Sequence, residues 1–160
     1  MKFKYISWLP ALLIMVIIYS FSAKPVDNSN ESSLSIASTI LSAYENIIDP
    51  IQKQEVRMDI LESINHVVRK GAHFTEYAVL AISLIIHLLA WKFQGMKLFT
   101  ISVAISAVYA ATDEFHQTFV PGRAGMMKDV LLDTMGAATG AFLFLLFLGV
   151  LEKRRKNKQN

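Results

Sequence analysis

The chain has 160 residues, a length that suits one compact domain, and 53% of them are hydrophobic, with a mean hydropathy of +0.39. A water-soluble domain of this size has too little interior to hide so much apolar surface, so a bilayer is the implied solvent. The absence of cysteine excludes disulfides and thiolate metal sites. The net charge of +3 is dispersed apart from one tail, without the basic stripe interleaved with aromatics that marks a nucleic-acid binder.

A membrane-crossing helix needs ~20 mostly apolar residues. The first such segment is 6–22, with Trp8 and Tyr19 near its ends, where aromatic rings sit at the membrane interface. Its rival reading is a secretory signal, with Lys2 and Lys4 in front and Ser20-Phe21-Ser22 as a small-x-small cleavage site. The length of the apolar stretch favours a retained helix.

Residues 23–71 form a long loop with helical character. Ser29 or Asn30 is suited to cap a helix start, and Leu34, Ala37, Ile40, Leu41, Tyr44, Ile47 and Ile48 recur at three- and four-residue steps. Asp49-Pro50 should interrupt this helix, because the residue before proline is pushed out of helical geometry. A second amphipathic helix is expected from about Gln54, with Val56, Ile60, Ile64, Val67 and Val68 on its apolar face and a bend at Gly71. Two placements fit such helices: on the membrane surface or capping the bundle, or as a lid over a site.

The second span is 72–91, the third 97–116 and the fourth 130–151. The third reaches full length only if it stays helical through an acidic cluster. A basic tail, 152–160, follows. Lys2, Lys4, Lys92, Lys97, Lys153, Arg154, Arg155, Lys156 and Lys158 all fall on one side if both termini face the cytoplasm. The expectation is an all-α, multi-pass plasma-membrane protein with four transmembrane helices, cytoplasmic termini and the amphipathic helices in an extracytoplasmic loop.

The richest stretch is Asp113-Glu114-Phe115-His116-Gln117-Thr118-Phe119-Val120-Pro121-Gly122-Arg123, with Asp129 and Asp133 beyond it. An ionised side chain costs ~2.5–3.5 kcal/mol at the centre of an inserted helix and less near its end, so such a cluster marks a site. His73 and Glu76 share a helix face with Leu80, Ser83 and His87. Ser102, Ser106, Tyr109, Asp113, His116 and Gln117 form a stripe on the third span, and Asp129, Asp133, Gly136 and Gly140 one on the fourth. The GxxxG step from Gly136 to Gly140 lets backbones approach, within one chain or between two copies. Pro121-Gly122 fits the centre of a type II turn that would fold Arg123 back toward the acids.

These positions predict one polar pocket at the outer membrane boundary, lined by His73, Glu76, Asp113, Glu114, His116, Gln117, Arg123, Asp129 and Asp133. The plainer alternatives are solvated loop charges, and an ion-pair network of Glu76 and Asp133 with Arg123 and Arg69. His73/Glu76 and Asp113/His116 are each i,i+3 imidazole–carboxylate pairs of the kind that holds metals in bundles, but a paired charge network explains the same residues, and no metal or cofactor is assigned. No HExxH, phosphate-cradling glycine loop or serine-nucleophile motif occurs.

The runs Lys70-Gly71-Ala72-His73-Phe74-Thr75-Glu76-Tyr77-Ala78-Val79-Leu80, Ala110-Ala111-Thr112-Asp113-Glu114-Phe115-His116-Gln117, Phe119-Val120-Pro121-Gly122-Arg123 and Asp129-Val130-Leu131-Leu132-Asp133-Thr134-Met135-Gly136 resemble, in this order, the VanZ-like family of small bacterial membrane proteins. The resemblance covers nearly the whole chain. Its motif positions are His73, Glu76, Tyr77, Asp113, Glu114, Gln117, Arg123, Asp129 and Asp133. In the family a serine-rich stretch after the first span ends in Gln; here Lys24 stands where that Gln would fall. The resemblance implies a Gram-positive-type plasma-membrane protein that lowers sensitivity to teicoplanin-type antibiotics, and it supplies no mechanism.

Three functions follow as expectations. The first is an envelope protein binding a membrane lipid headgroup, a cell-wall precursor or a lipoglycopeptide, with Arg123 on the anionic group. The second is a membrane hydrolase or transferase acting on a lipid-linked substrate, with or without a metal, using Asp113 or Glu114 as base and His73 or His116 as acid. The third is a proton-coupled transporter using Glu76, Ser83 and His87; no internal repeat supports it.

Overall fold

The structure, a computed structural model, describes residues 3–48, 51 and 53–159, and the side chains at 3, 26–30 and 32 lie outside that description. Its elements are all helices: α1 (Phe3–Ile6), α2 (Leu9–Ser22), α3 (Val26–Ile47), α4 (Gln54–Ala90), α5 (Met96–Gln117) and α6 (Met127–Asn157). No strand occurs among the described residues. Four helical stretches, Lys4–Ser22, Gln54–Ala90, Met96–Gln117 and Met127–Asn157, are long and apolar enough to cross a membrane. Large apolar side chains such as Val108, Leu131, Leu143 and Phe147 stay exposed on their outer faces. In water that surface would be a liability; in a bilayer it is the solvated face. The chain is a multi-pass membrane protein.

Local chemistry explains most boundaries. Pro10 sits in the first turn of α2, where its missing N–H costs nothing, so the first span breaks at Ser7-Trp8 and restarts. The 22 residues of α5 measure about 33 Å, enough for the hydrocarbon core, because the helix does continue through Asp113 and Glu114. The turn after α4 carries Lys92 and Gly95 with positive φ, 62° and 64°. α6 continues beyond the expected span end into the basic tail, as far as Asn157.

Two expectations between the first two spans need correction. α3 begins at Val26, directly after Pro25, and not at a Ser29 or Asn30 cap, since Pro25 already sits in the flanking extended position with φ −53° and ψ 153°. The interruption expected at Asp49-Pro50 lies outside the described residues. α4 does start at Gln54, but it runs as one 37-residue helix through Gly71. A mid-helix glycine costs about 1 kcal/mol relative to alanine and does not itself break a helix; packing against α3 on one side of Gly71 and α6 beyond it holds the segment. At about 55 Å, α4 is much longer than a bilayer's apolar core, so one end projects.

α3 lies on that projecting part through Ser33, Ala37 and Leu41, while Ile40, Tyr44 and Ile47 remain exposed. An Arg57–Glu45 pair, 2.9 Å apart, ties the two helices, and its hydrogen bond lowers the Glu45 pKa from the usual value. In the membrane part α4 packs against α2, α5 and α6. The core is Ile18, Tyr77, Leu80, Ala81, Ile85, Ala110, Ala137 and Ala141. The GxxxG face is occupied within the chain. A Cβ on Gly136 would strike the backbone of Phe74, and one on Gly140 would lie 2.6 Å from the carbonyl oxygen of Ala78. The glycines thus seat α6 directly on α4.

Candidate functional site

The end of α5 builds the floor of the site. Asp113, Glu114 and Gln117 lie on one helical face, three and four residues apart, and all three are buried. Gln117 Nε2 donates to Asp113 Oδ2 at 3.1 Å and to Glu114 Oε1 at 3.2 Å. Ser22, the last residue of α2, donates to the same Asp113 oxygen at 2.6 Å. Glu114 Oε2 accepts the Met126 N–H at 2.9 Å, which places this carboxylate at the N-terminus of α6, where the helix dipole favours negative charge.

The turn forms as its residues require. Arg123 N–H donates to Val120 O at 3.1 Å, and Gly122 between them has φ +76°, the conformation of the third position in a type II turn. The Arg123 side chain folds back, but its contacts correct the expected ones. Nε donates to Lys24 O at 3.0 Å, Nη2 to Phe21 O at 3.1 Å and Nη1 to Gln117 Oε1 at 3.3 Å. The terminal carbonyls of α2 lack partners inside their own helix, and a guanidinium supplies them. Burial, then the charge of Arg69, lowers the Arg123 pKa from its usual value; arginine stays cationic all the same. The ion pair of Asp129 is with Lys70, which joins α6 to α4.

A cavity of about 250 Å³ opens among these groups. Six sequence candidates line it: His73, Glu114, Gln117, Arg123, Asp129 and Asp133. Arg69 and Lys70 complete its charged wall. Asp113 lies behind the wall, held by Ser22 and Gln117. Tyr77 is fully buried, with its ring centroid 6.2 Å from that of Tyr109. Among the site candidates, His73 Nδ1, the Tyr77 hydroxyl, Asp113 Oδ1, His116 Nδ1 and Asp133 Oδ1 are buried without a hydrogen-bond partner among the described residues.

Glu76 and His116 fall outside the expected single pocket. Glu76 sits 3.6 Å from His73 Nδ1, yet it faces an apolar groove lined by Ile14, Ile17, Thr75 and Val79. His116 stacks near Tyr19, ring centroids 4.8 Å apart. Residues three apart on an α-helix differ by about 60° in direction, enough to carry each side chain round to the next interhelical space. Among the described residues no group of three His, Asp or Glu side chains is arranged to hold a metal. His87 has a structural partner, Ser7 Oγ at 2.9 Å, and the Ser83 hydroxyl bonds to its own helix at Val79 O.

Sequence reasoning passed over Ser22, Lys70 and the carbonyls of Phe21 and Lys24. A serine at the end of an apolar run carries no local sign of its partner 91 residues away. Lys24, where the family's Gln would fall, takes part through its backbone oxygen, which any residue provides.

With this geometry in place, a family model described as VanZ/LLP1 matches residues 7–148, from the break before α2 to the last turns of α6. The chain belongs to the VanZ/LLP1 family. The match takes in every residue of the VanZ/LLP1 site described above, from Ser22 to Asp133. No curated protein and no solved structure matches the chain.

Proposed function

We propose that this VanZ/LLP1 protein binds the anionic head of an envelope amphiphile in the cavity beside Arg123: a membrane lipid, a lipid-linked cell-wall precursor or a lipoglycopeptide. The observation that carries this is the state of Arg123. Three of its five N–H groups are spent on fixed oxygens, which holds the guanidinium plane still, and the group lines the cavity with donors to spare. Asp133, which lines the same cavity, would meet an amine of the same ligand. The Ile14–Val79 groove beside the His73–Glu76 pair is suited to an acyl tail. From the distribution of Lys and Arg we place the protein in the bacterial plasma membrane, with its termini cytoplasmic and the cavity at the outer leaflet. The cellular consequence that the family resemblance suggests is lowered sensitivity to teicoplanin-type antibiotics.

One observation favours a second reading, a hydrolase or transferase on a lipid-linked substrate. His73 and Asp133, whose Nδ1 and Oδ1 accept or donate no hydrogen bond among the described residues, line the same cavity as Glu114 and together make an acid–base set.

Native mass spectrometry from nanodiscs of wild type, Arg123→Ala and Arg123→Lys tests the binding reading. Wild type should retain an anionic amphiphile that Arg123→Ala loses and Arg123→Lys holds weakly, because lysine cannot reproduce the planar fork. Equal retention by all three overturns it. Turnover of the retained molecule to a smaller product, abolished by His73→Ala, would decide for the enzyme.

A further inference from the structure

At the far end of the bundle from Arg123, a second space has a different chemistry. The α4–α5 turn, the start of α5 and the last turns of α6 enclose a groove of about 1190 Å³. Asp133 and Leu151 are 18 positions apart on one helix, about 27 Å, so this groove and the polar cavity lie near opposite faces of the bilayer. Its walls are leucines: Leu89, Leu98, Leu145, Leu148 and Leu151. Its rim is basic, with Arg154, Arg155 and Lys158 against the single acid Glu152.

Two features mark this groove as more than the ordinary outside of a helix bundle. Gly95 and Gly149 both line it, and a Cβ on either would meet no heavy atom within 4 Å, so the space is left open where a larger residue would fill it. The three rim cations are exposed, and among the described residues none of them forms an ion pair. Apolar walls that end in unpaired cations are complementary to an acyl chain with an anionic head, of which a phosphate is the head a bilayer supplies. A headgroup carrying its own ammonium would bring one positive charge too many to this rim, whereas a net-anionic one would not. Arginine also matches phosphate oxygens two at a time.

We propose that this groove is a binding site for an anionic glycerophospholipid, with an acyl chain along Leu98, Leu145 and Leu148 and the phosphate against Arg154, Arg155 and Lys158. The site is separate from the Arg123 cavity and stands whether or not that cavity binds anything.

The test is native mass spectrometry of the full chain titrated with phosphatidylglycerol or phosphatidylcholine of matched chains, with helix content checked by circular dichroism. Wild type should prefer phosphatidylglycerol by on the order of tenfold, given the net rim charge. The triple variant Arg154→Gln/Arg155→Gln/Lys158→Gln should lose that preference. Gly149→Leu, which fills open space and leaves every charge in place, should lower retention of both lipids several-fold. In Arg123→Ala the preference for phosphatidylglycerol should persist, because any lipid lost from the other cavity leaves the rim charges in place. The proposal is overturned if wild type binds the two lipids equally, if the triple variant keeps the preference for phosphatidylglycerol, if Gly149→Leu retains phosphatidylglycerol as wild type does, or if Arg123→Ala abolishes the preference.

Discussion

Ser22 and Asp113 show how much a single hydroxyl can carry at a bilayer-embedded site. Asp113 is 3% exposed, its Oδ1 has no protein partner, and its Oδ2 is held by Ser22 and Gln117. Ser22→Ala removes the shortest of these bonds and leaves a buried carboxylate less satisfied, which should cost about 1–3 kcal/mol. Thermal unfolding in detergent would show the loss as a lower Tm. Asp113→Asn keeps the shape but changes what Ser22 and Gln117 can donate to, so it should abolish the proposed effect on antibiotic sensitivity at unchanged protein level; wild-type behaviour in a susceptibility assay would contradict the role given to this charge. His87→Leu, by contrast, disturbs contacts with Ser7 and Trp91 at the other end of the bundle and should leave that effect intact.

Among the helices, α4 and α6 form the seam that positions the site, and small residues set its width. Gly136 rests on Phe74 and Gly140 on Ala78, the residues that follow His73 and Tyr77 in the chain. Gly136→Ala forces the backbones apart and should destabilise the fold by about 1–3 kcal/mol, with Lys70 and Asp129 drawn out of register. Gly71 is the internal control. It lies within α4, with open space where a side chain would go, so Gly71→Ala should stabilise by roughly 0.5–1 kcal/mol through helix propensity alone. Opposite signs for these two glycine-to-alanine changes, read by chemical or thermal unfolding in one detergent, are the expected result. If both destabilise equally, close packing at Gly136 is not what distinguishes them.

For the whole molecule, polarity runs along the bundle axis, with a mixed-charge cavity at one end and a basic rim at the other. The absence of cysteine makes orientation directly measurable. A cysteine at exposed Ser42 should react with a membrane-impermeant thiol reagent in intact cells, and one at Lys158 only after permeabilisation. The reverse pattern would invert the topology and move the Arg123 cavity to the inner leaflet.

The four spans were legible in the sequence because length and hydropathy are local properties, and the bilayer enforces them one helix at a time. The type II turn was legible for the same reason: Pro121-Gly122 decides its own backbone. The cost of charge in hydrocarbon also pointed to Asp113, Glu114, Arg123 and Asp133 without a structure. Tertiary structure alone decided which of the candidates share a cavity. A 60° difference in direction separates His73 from Glu76, and only the position of the neighbouring helix says which interhelical space each enters. It decided, too, that Arg123 would hold the carbonyls of Phe21 and Lys24, that Lys70 would pair with Asp129, and that the glycines of α6 would meet Phe74 and Ala78. Each of these is a contact between segments far apart in the chain, and pairing of that kind follows from packing geometry, which no local pattern encodes.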